Sequence, residues 1–282
     1  MRRTALLLLI LSLAALSAGL GVALVREPEA VLQVSILDVG QGDAILIESP
    51  TGTQVLIDGG RDRSVLRRLG REMPLFDRTI DLVIATHPDA DHIGGLPGVF
   101  DRYRVSYFMD GTVEGDTSQS AALAYAVEEE DGMALVEAVR GTRLDLGGGA
   151  YLDILYPDRD APGLETNTGS VIARLTYGET SFMLTGDAPS GVEDWLVALD
   201  GEALESTVLK AGHHGSKTST SDAWLAAVDP TYVAISAGKD NSYGHPAPEV
   251  LERIRISGAR TVSTIEDGTL DFISDGISVT YK

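Results

Sequence analysis

The sequence predicts an α/β protein in which two sheets pack face to face with helices on the outside. Three observations carry this. Short apolar strand-like runs alternate with helical stretches from residue 31 onward, and the rhythm occurs twice, once in each half. Each group of histidines falls in a loop directly after one of the expected strands, where α/β proteins place their binding chemistry. With the N-terminal segment set aside, about 250 of the 282 residues remain, which fits one large domain or two small ones.

In the first half, Val31–Leu37, Ala44–Glu48 and Gln54–Ile57 read as strands separated by Gly-containing turns. Ser64–Leu69 is a short helix, Leu82–Ala85 an apolar strand, and His92–Phe100 a helix with glycines in its first turn. Val105–Met109 is a strand, Ser118–Glu130 a helix opened by a serine cap, and Tyr151–Leu155 a strand. Gly147–Gly149 is too short for a linker and reads as a turn. In the second half, Ser170–Tyr177 and Ser181–Leu184 flank the Gly178-Glu179 turn, followed by a helix at Pro189–Leu199 and a strand at Thr207–Lys210. Ser221–Val228 and Pro248–Ile256 are helices on either side of the strand Tyr232–Ile235. Thr261–Ser263, Thr269–Ile273 and Ser278–Tyr281 close the pattern as strands.

Residues 1–30 are of another kind. Met1-Arg2-Arg3 precedes an uncharged Leu- and Ala-rich run from Thr4 to Val25, which Arg26 ends. About 20 apolar residues suffice to cross a bilayer as a helix, and the leading arginines favour a cytoplasmic start. The segment is therefore a signal peptide or a membrane anchor, its length favouring the anchor, and either reading exports residues 31–282. Retained, it ties the protein to the outer face of the cytoplasmic membrane; cleaved, it leaves an extracellular protein.

Composition narrows the chemistry. The absence of cysteine excludes disulfides, thiolate metal sites and cysteine nucleophiles. A net charge of −20, with 42 acidic against 22 basic residues, gives no overall electrostatic steering towards nucleic acid. The basic residues are unevenly placed, however. Arg61, Arg63, Arg67, Arg68 and Arg71 fall within eleven residues, and they are either phosphate contacts or part of a solvated helix of mixed charge.

All five histidines lie in motifs. His87-Pro-Asp89-Ala-Asp91-His92 offers four donors within six residues, followed by Gly94-Gly95. Imidazole and carboxylate are ligands for zinc, manganese and iron. In an extended loop residues 87 and 89 share a direction while 91 and 92 diverge, so the cluster can serve two metals. Asp187, in Thr185-Gly186-Asp187 at a strand end, suits a carboxylate bridging two cations. His213 and His214 are adjacent and point apart in an extended chain, so one is a ligand and the other faces substrate. His214, beside the flexible Gly215, is the expected ligand. His245, in Asn241-Ser-Tyr-Gly-His245-Pro, is placed to hold a leaving group or a phosphate.

These motifs, in this order, resemble the metallo-β-lactamase fold. They are similar in particular to the nuclease-like domain of ComEC-type competence proteins, a likeness that Leu37-Asp38-Val39-Gly40-Gln41-Gly42-Asp43-Ala44 and Leu56-Ile57-Asp58-Gly59-Gly60 share. The resemblance spans nearly all of Val31 to Lys282. It implies a four-layer αββα sandwich with two divalent cations, zinc or manganese, at one edge. The general signature has histidine where Asp89 stands, and a further histidine where this chain has only Asn167 or Ser170. One metal position is thereby richer in oxygen, which admits manganese and argues against β-lactam hydrolysis.

By this resemblance the domain is an exported metal-dependent hydrolase acting on nucleic acid or another phosphodiester through a metal-activated water. His87, Asp89, Asp91, His92, Asp187 and His214 are the expected ligands, and Asp91, His213, His245 and Asp58 the residues closest to the chemistry. Asp58 orients the metal loop, while Ser216, Lys217 and Asn241 are expected near substrate. Asp38, Gln41 and Asp43 are placed to line the same pocket, Asp43 serving equally well as a turn residue before a strand. With a single apolar segment the chain reads as a stand-alone version of the hydrolase domain. Hydrolysis of another ester, lactone or lactam, and a non-catalytic surface module on the same fold, are the alternatives from other classes.

Overall fold

The computed structural model describes residues 30–111, 113, 115–158 and 165–282. The apolar run of the N-terminal segment lies outside them, and among the described residues no helix is long and apolar enough to cross a membrane.

The chain begins with an antiparallel meander of β1 (Leu32–Ile36), β2 (Ile45–Glu48) and β3 (Gln54–Ile57). The amphipathic helix α1 (Ser64–Glu72), which buries Val65 and Leu69, leads to β4 (Thr79–Ala85), parallel to β3. Two short helices, α2 (Ala90–Ile93) and α3 (Leu96–Phe100), connect to β5 (Arg104–Asp110), and α4 (Ser118–Glu129) connects to β6 (Ala134–Glu137), again in parallel. The second half repeats the plan. β7 (Arg143–Gly147), β8 (Ala150–Tyr156), β9 (Ile172–Tyr177) and β10 (Thr180–Leu184) are antiparallel neighbours. The helix α5 (Ser190–Asp200), strand β11 (Val208–Lys210), helix α6 (Asp222–Val228), strand β12 (Tyr232–Ile235), helix α7 (Pro248–Ser257) and strand β13 (Arg260–Ser263) follow as parallel crossovers. A short α8 (Thr264–Asp267) precedes β14 (Leu270–Ser274) and β15 (Val279–Tyr281), which return to pair with β1 in the first sheet. The described strands thus form two mixed sheets, ordered β15-β14-β1-β2-β3-β4-β5-β6 and β13-β12-β11-β10-β9-β8-β7.

Three apolar layers make the architecture a four-layer αββα sandwich, as expected. One lies between the sheets, where Ile36, Ile47 and Ile57 meet Leu152, Leu175 and Phe182. A second joins the first sheet to α1–α4 through Leu56, Val83, Leu69, Leu96 and Leu123. The third joins the second sheet to α5–α7 through Leu209, Val233, Leu196, Trp224 and Ile254. Removing these side chains from water is the main drive for the fold, at about 25 cal/mol per Å² of apolar surface.

Local reading differed from the structure at a few points. The stretch His92–Phe100 is two helices, because Gly94 and Gly95 pass against another segment. A Cβ on Gly94 would lie 2.2 Å from the carbonyl oxygen of Arg61, and one on Gly95 2.1 Å from that of Gly59. The cap of α4 is Thr117, whose hydroxyl accepts from the backbone N–H of Ser120 at 3.1 Å. β6 and β7 carry no strong sequence signal: β6 is a largely exposed edge strand, and β7 alternates exposed and partly buried positions before the Gly148-Gly149 turn.

Candidate metal centre

The site is built at the carboxyl ends of the parallel strands, where successive strand-to-helix loops converge. Three loops from the first sheet are stitched together by backbone bonds. Gly59 N–H donates to His92 O at 2.7 Å, Gly60 N–H to Asp43 O at 2.7 Å, Gly95 N–H to Gly60 O at 2.9 Å and Asp43 N–H to Asp91 O at 3.2 Å. Loops after β10, β11 and β12 bring in Asp187, the His213-His214 pair and Ser236 from the second sheet. Asp58, His213 and His214 all take left-handed backbone conformations, with φ of 62°, 49° and 57°. Such strain in non-glycine residues persists where the surrounding structure over-determines it, and it concentrates at functional sites.

The tautomers of three buried imidazoles follow from their partners. His92 Nδ1 lies 2.7 Å from Asp58 Oδ2, which also accepts the hydroxyl of Thr86 at 2.7 Å. That hydroxyl proton being spent, His87 Nδ1 must donate to Thr86 Oγ1, 3.0 Å away. His214 Nδ1 donates to the carbonyl of Ser236 at 3.0 Å. Each ring therefore turns an Nε2 lone pair inward when neutral. His87 Nε2 is buried with no hydrogen-bond partner, and the Nε2 atoms of His92 and His214 face one another at 3.3 Å. Around them stand Asp187, whose Oδ1 is 3.3 Å from His92 Nε2 and whose Oδ2 is 3.4 Å from His214 Nε2, and Asp91, whose Oδ2 is 3.5 Å from His214 Nε2. Lone pairs and carboxylates buried together and aimed at one another are costly unless a positive charge stands among them. The donor set therefore fits a divalent metal, with the imidazole–carboxylate and imidazole–carbonyl bonds typical of metal-holding histidines.

Electrostatics agree. Burial disfavours a charge on His92 and His214, but the facing carboxylates outweigh it. Asp187 and Asp58 hold His92 well above the ordinary imidazole range, and Asp187 and Asp43 raise His214 to about 9. Burial opposes ionisation of Asp91 too, yet His214 and His92 bring it down to about 2. Burial and the neighbouring His92 press His87 down to about 3, so it stays neutral.

The other expected site residues divide into two groups. Asp89 stands at the mouth, its side chain 39% exposed and its Oδ2 3.8 Å from His87 Nε2. His213 lies on the open side, with Nε2 3.6 Å from Asp187 Oδ2, and His245 packs edge-on against it at 5.5 Å between ring centres. His214 rather than His213 enters the buried cluster. Asn241 and Ser216 shape loops. The Asn241 amide donates to the carbonyls of Gly238 and His245 and accepts from the N–H groups of Tyr243 and His245, while the Ser216 hydroxyl pairs with that of Thr218. Lys217 is exposed. Ser170 accepts from the N–H of Asp187 at 3.2 Å, and Asn167 Oδ1 is buried without a partner. In the arginine cluster, Arg68 is paired with Asp38, and Arg63 lies 3.2 Å from Asp101.

Sequence reasoning left one member of the cluster open and missed another. Asp43 is buried with His92, Asp187 and His214, and donor atoms of all four lie within 4.8 Å of one another. Lys210, whose side chain is 1% exposed, pairs with Asp43, lies 3.8 Å from Asp187 Oδ1 and donates to Gly186 O at 3.1 Å. The available signal was a lysine closing an apolar strand in a chain with only four lysines.

Comparison with known proteins identifies the family and the fold. The sequence model described as the metallo-beta-lactamase superfamily matches residues 37–239. The chain is 29% identical over 259 residues to ComE operon protein 3 of Bacillus subtilis, and 28% identical over 246 residues to competence protein ComA of Neisseria gonorrhoeae. These matches cover 85% and 87% of this chain but 33% of each relative, so the chain spans about a third of their length. Recombination protein 2 of Haemophilus influenzae is 29% identical, over 88% of this chain and 30% of its own. Among solved structures, the diiron β-hydroxylase CmlA of Streptomyces venezuelae superposes with a TM-score of 0.52 at 15% identity, over 83% of this chain and 52% of its own. Zn(2+)-bound PqqB of Methylobacterium extorquens gives 0.51 at 12% identity, over 82% and 87%. The latter two likenesses speak to the fold alone. The chain belongs to the metallo-β-lactamase superfamily, and the relatives named here are competence proteins of the ComEC type.

Proposed function

We propose that this protein is an exported hydrolase that uses two divalent cations, zinc or manganese, to cleave phosphodiester bonds in nucleic acid. The observation that carries the reading is the convergence of the Nε2 lone pairs of His92 and His214 on Asp91 and Asp187, with the unpartnered Nε2 of His87 buried on a ring centred 4.1 Å from that of His92. His92, His214, Asp91 and Asp187 would hold one cation, and the buried Nε2 of His87 with the exposed carboxylate of Asp89 would hold a second at the more open side. Formal charge supports two cations. Asp43, Asp58, Asp89, Asp91 and Asp187 bring five negative charges and Lys210 one positive, and two divalent ions balance the remaining four.

Bound there, divalent cations lower the pKa of water towards neutrality and stabilise charge developing on phosphoryl oxygens. The chain supplies the rest. Asp58 holds the His92 ring in the ligand tautomer, and Ser236 does the same for His214. Burial holds His213 and His245 below the ordinary imidazole pKa, so at neutral pH each offers an N–H to a phosphoryl or leaving oxygen. Asn241 and Ser216 act by fixing the loops that present these two rings, and the exposed Lys217 adds positive charge nearby.

The phosphodiester assignment draws on the relatives, whose names tie them to competence and recombination, processes that handle DNA. Export draws on the arginine-led apolar run of residues 2–25. The test is cleavage of DNA, RNA, a small phosphodiester and a phosphate-free ester with zinc or manganese, using Asp91→Ala as control. Metal-dependent turnover of the phosphodiesters, lost in the variant, is the expected outcome. Preference for the phosphate-free ester, or activity surviving the substitution, would overturn the reading.

A further inference from the structure

Asp43 lies within ligand distance of the buried cluster, yet its surroundings commit it elsewhere. Its Oδ2 is held by the Lys210 ammonium, and its Oδ1, buried without a hydrogen-bond partner, lies 3.3 Å from His214 Nδ1, on the side of the ring turned away from the metal cluster. Its backbone is equally fixed, because its N–H donates to Asp91 O and its carbonyl accepts from Gly60 N–H. Lys210 is anchored on the opposite side by the carbonyl of Gly186. Both side chains are essentially inaccessible to solvent, at 1% and 2% exposure, so the pair was desolvated for a purpose other than surface charge. Burying an ion pair is weak evidence for stability, since apolar residues of similar size commonly serve as well or better.

We infer that Lys210 is a positioning residue that withholds Asp43 from the cations. Its ammonium holds the Asp43 carboxylate behind His214, whose Nδ1 is held by Ser236, and leaves Asp91, His92, Asp187 and His214 as the inner ligand set. This inference rests on the two-cation reading of the same site. Without Lys210, the carboxylate of Asp43 is an unpaired negative charge within ligand distance of His92, Asp187 and His214, a position that attracts a divalent cation. Lys210 also stands 3.8 Å from Asp187 Oδ1, where its charge offsets the repulsion between the Asp43 and Asp187 carboxylates.

The test measures cation binding rather than turnover. Manganese and zinc are titrated against a chromogenic chelator, with elemental analysis after dialysis, for the wild type, Lys210→Met, the double variant Asp43→Asn/Lys210→Met, and Asp187→Ala as a ligand control. Lys210→Met is expected to bind cations on the order of tenfold or more tightly than the wild type, because an unpaired carboxylate at this range attracts a dication strongly. The double variant removes one charge of each sign and leaves no unpaired buried ion. It is expected to keep the wild-type number of cations, with affinity within about threefold of wild type, the ordinary context-dependent spread. Loss of a cation equivalent in the double variant would make Asp43 a ligand and overturn the inference. Equal affinity in Lys210→Met and the wild type would overturn it as well. Should Lys210→Met fail to fold, the double variant decides alone. Failure of the wild type itself to bind cations would instead count against the two-cation reading.

Discussion

The imidazoles of His92 and His214 meet nitrogen to nitrogen, 3.3 Å apart, with the proton of each Nδ1 committed to a fixed acceptor behind it. One acceptor, Asp58, comes from the end of β3 and the other, Ser236, from the end of β12, so each sheet supplies one half of the contact. The site exists only when both sheets are packed.

Asp58 is the residue whose loss should damage this arrangement most selectively. It accepts from His92 Nδ1, from the hydroxyl of Thr86 and from the N–H of Thr86 at 2.8 Å. In Asp58→Asn the amide N–H₂ group faces one of these donors, and His92 is released to its other tautomer. Cation affinity should fall by about 10–100-fold, the usual effect of losing such a partner. A competition titration checks this, with circular dichroism confirming that the fold persists.

Protons and cations should compete for the site. With no metal bound, His214 titrates near 9 and His92 well above its ordinary value. Raised imidazole pKa values mean that these charges stabilise the metal-free protein fully below about pH 6.5, and that the contribution is lost as pH rises through the folded-state values. Cations require the deprotonated rings, so their affinity should climb steadily between about pH 6.5 and 9, with protons released on binding. Calorimetry in buffers of different ionisation enthalpy reads that release directly. Affinity independent of pH would exclude the assigned ligands.

Gly95→Ala should be costly although the side chain gained is one methyl group. That methyl would lie 2.1 Å from the carbonyl oxygen of Gly59, and backbone on both sides leaves it nowhere to move. Overpacking of this kind costs about 1–3 kcal/mol. Urea denaturation measures it, and cation affinity should drop as well, because the displaced segment carries Asp58.

Glu193 secures the histidine loop after β11 from a distance. This carboxylate, buried on α5, accepts from the N–H groups of Thr220 and Ser221 at 2.6 and 2.9 Å, and Thr220 Oγ1 in turn accepts from Gly212 N–H at 3.0 Å. Glu193→Gln turns an acceptor into a donor facing a donor. A loss of about 1–3 kcal/mol is expected, the cost of a buried group left unsatisfied. Denaturation at neutral pH provides the measurement.

These relationships show where sequence was informative. The cluster from His87 to His92 was legible because its donors are contiguous, and contiguous donors after a strand have few other uses. Asp187 made sense only once that cluster was in view, since Gly-Asp alone is an ordinary turn. The alternation of strands and helices gave both sheets, but β6 and β7 bury too little to leave a periodic signal. The break in His92–Phe100 depends on a contact with residues 59–61, which no local pattern encodes. Lys210 and Asp43 are 167 positions apart in the sequence, and their pairing is created by the packing of one sheet on the other.

Cation stoichiometry tests the central claim most directly. Protein stripped with a chelator, then dialysed against manganese or zinc, should retain about two divalent ions per chain, as expected for a two-metal site. Asp187→Ala, which removes the carboxylate facing both His92 and His214, should retain markedly fewer. Wild-type protein that retains no ions, or an Asp187 variant that retains as many as the wild type, would contradict the account.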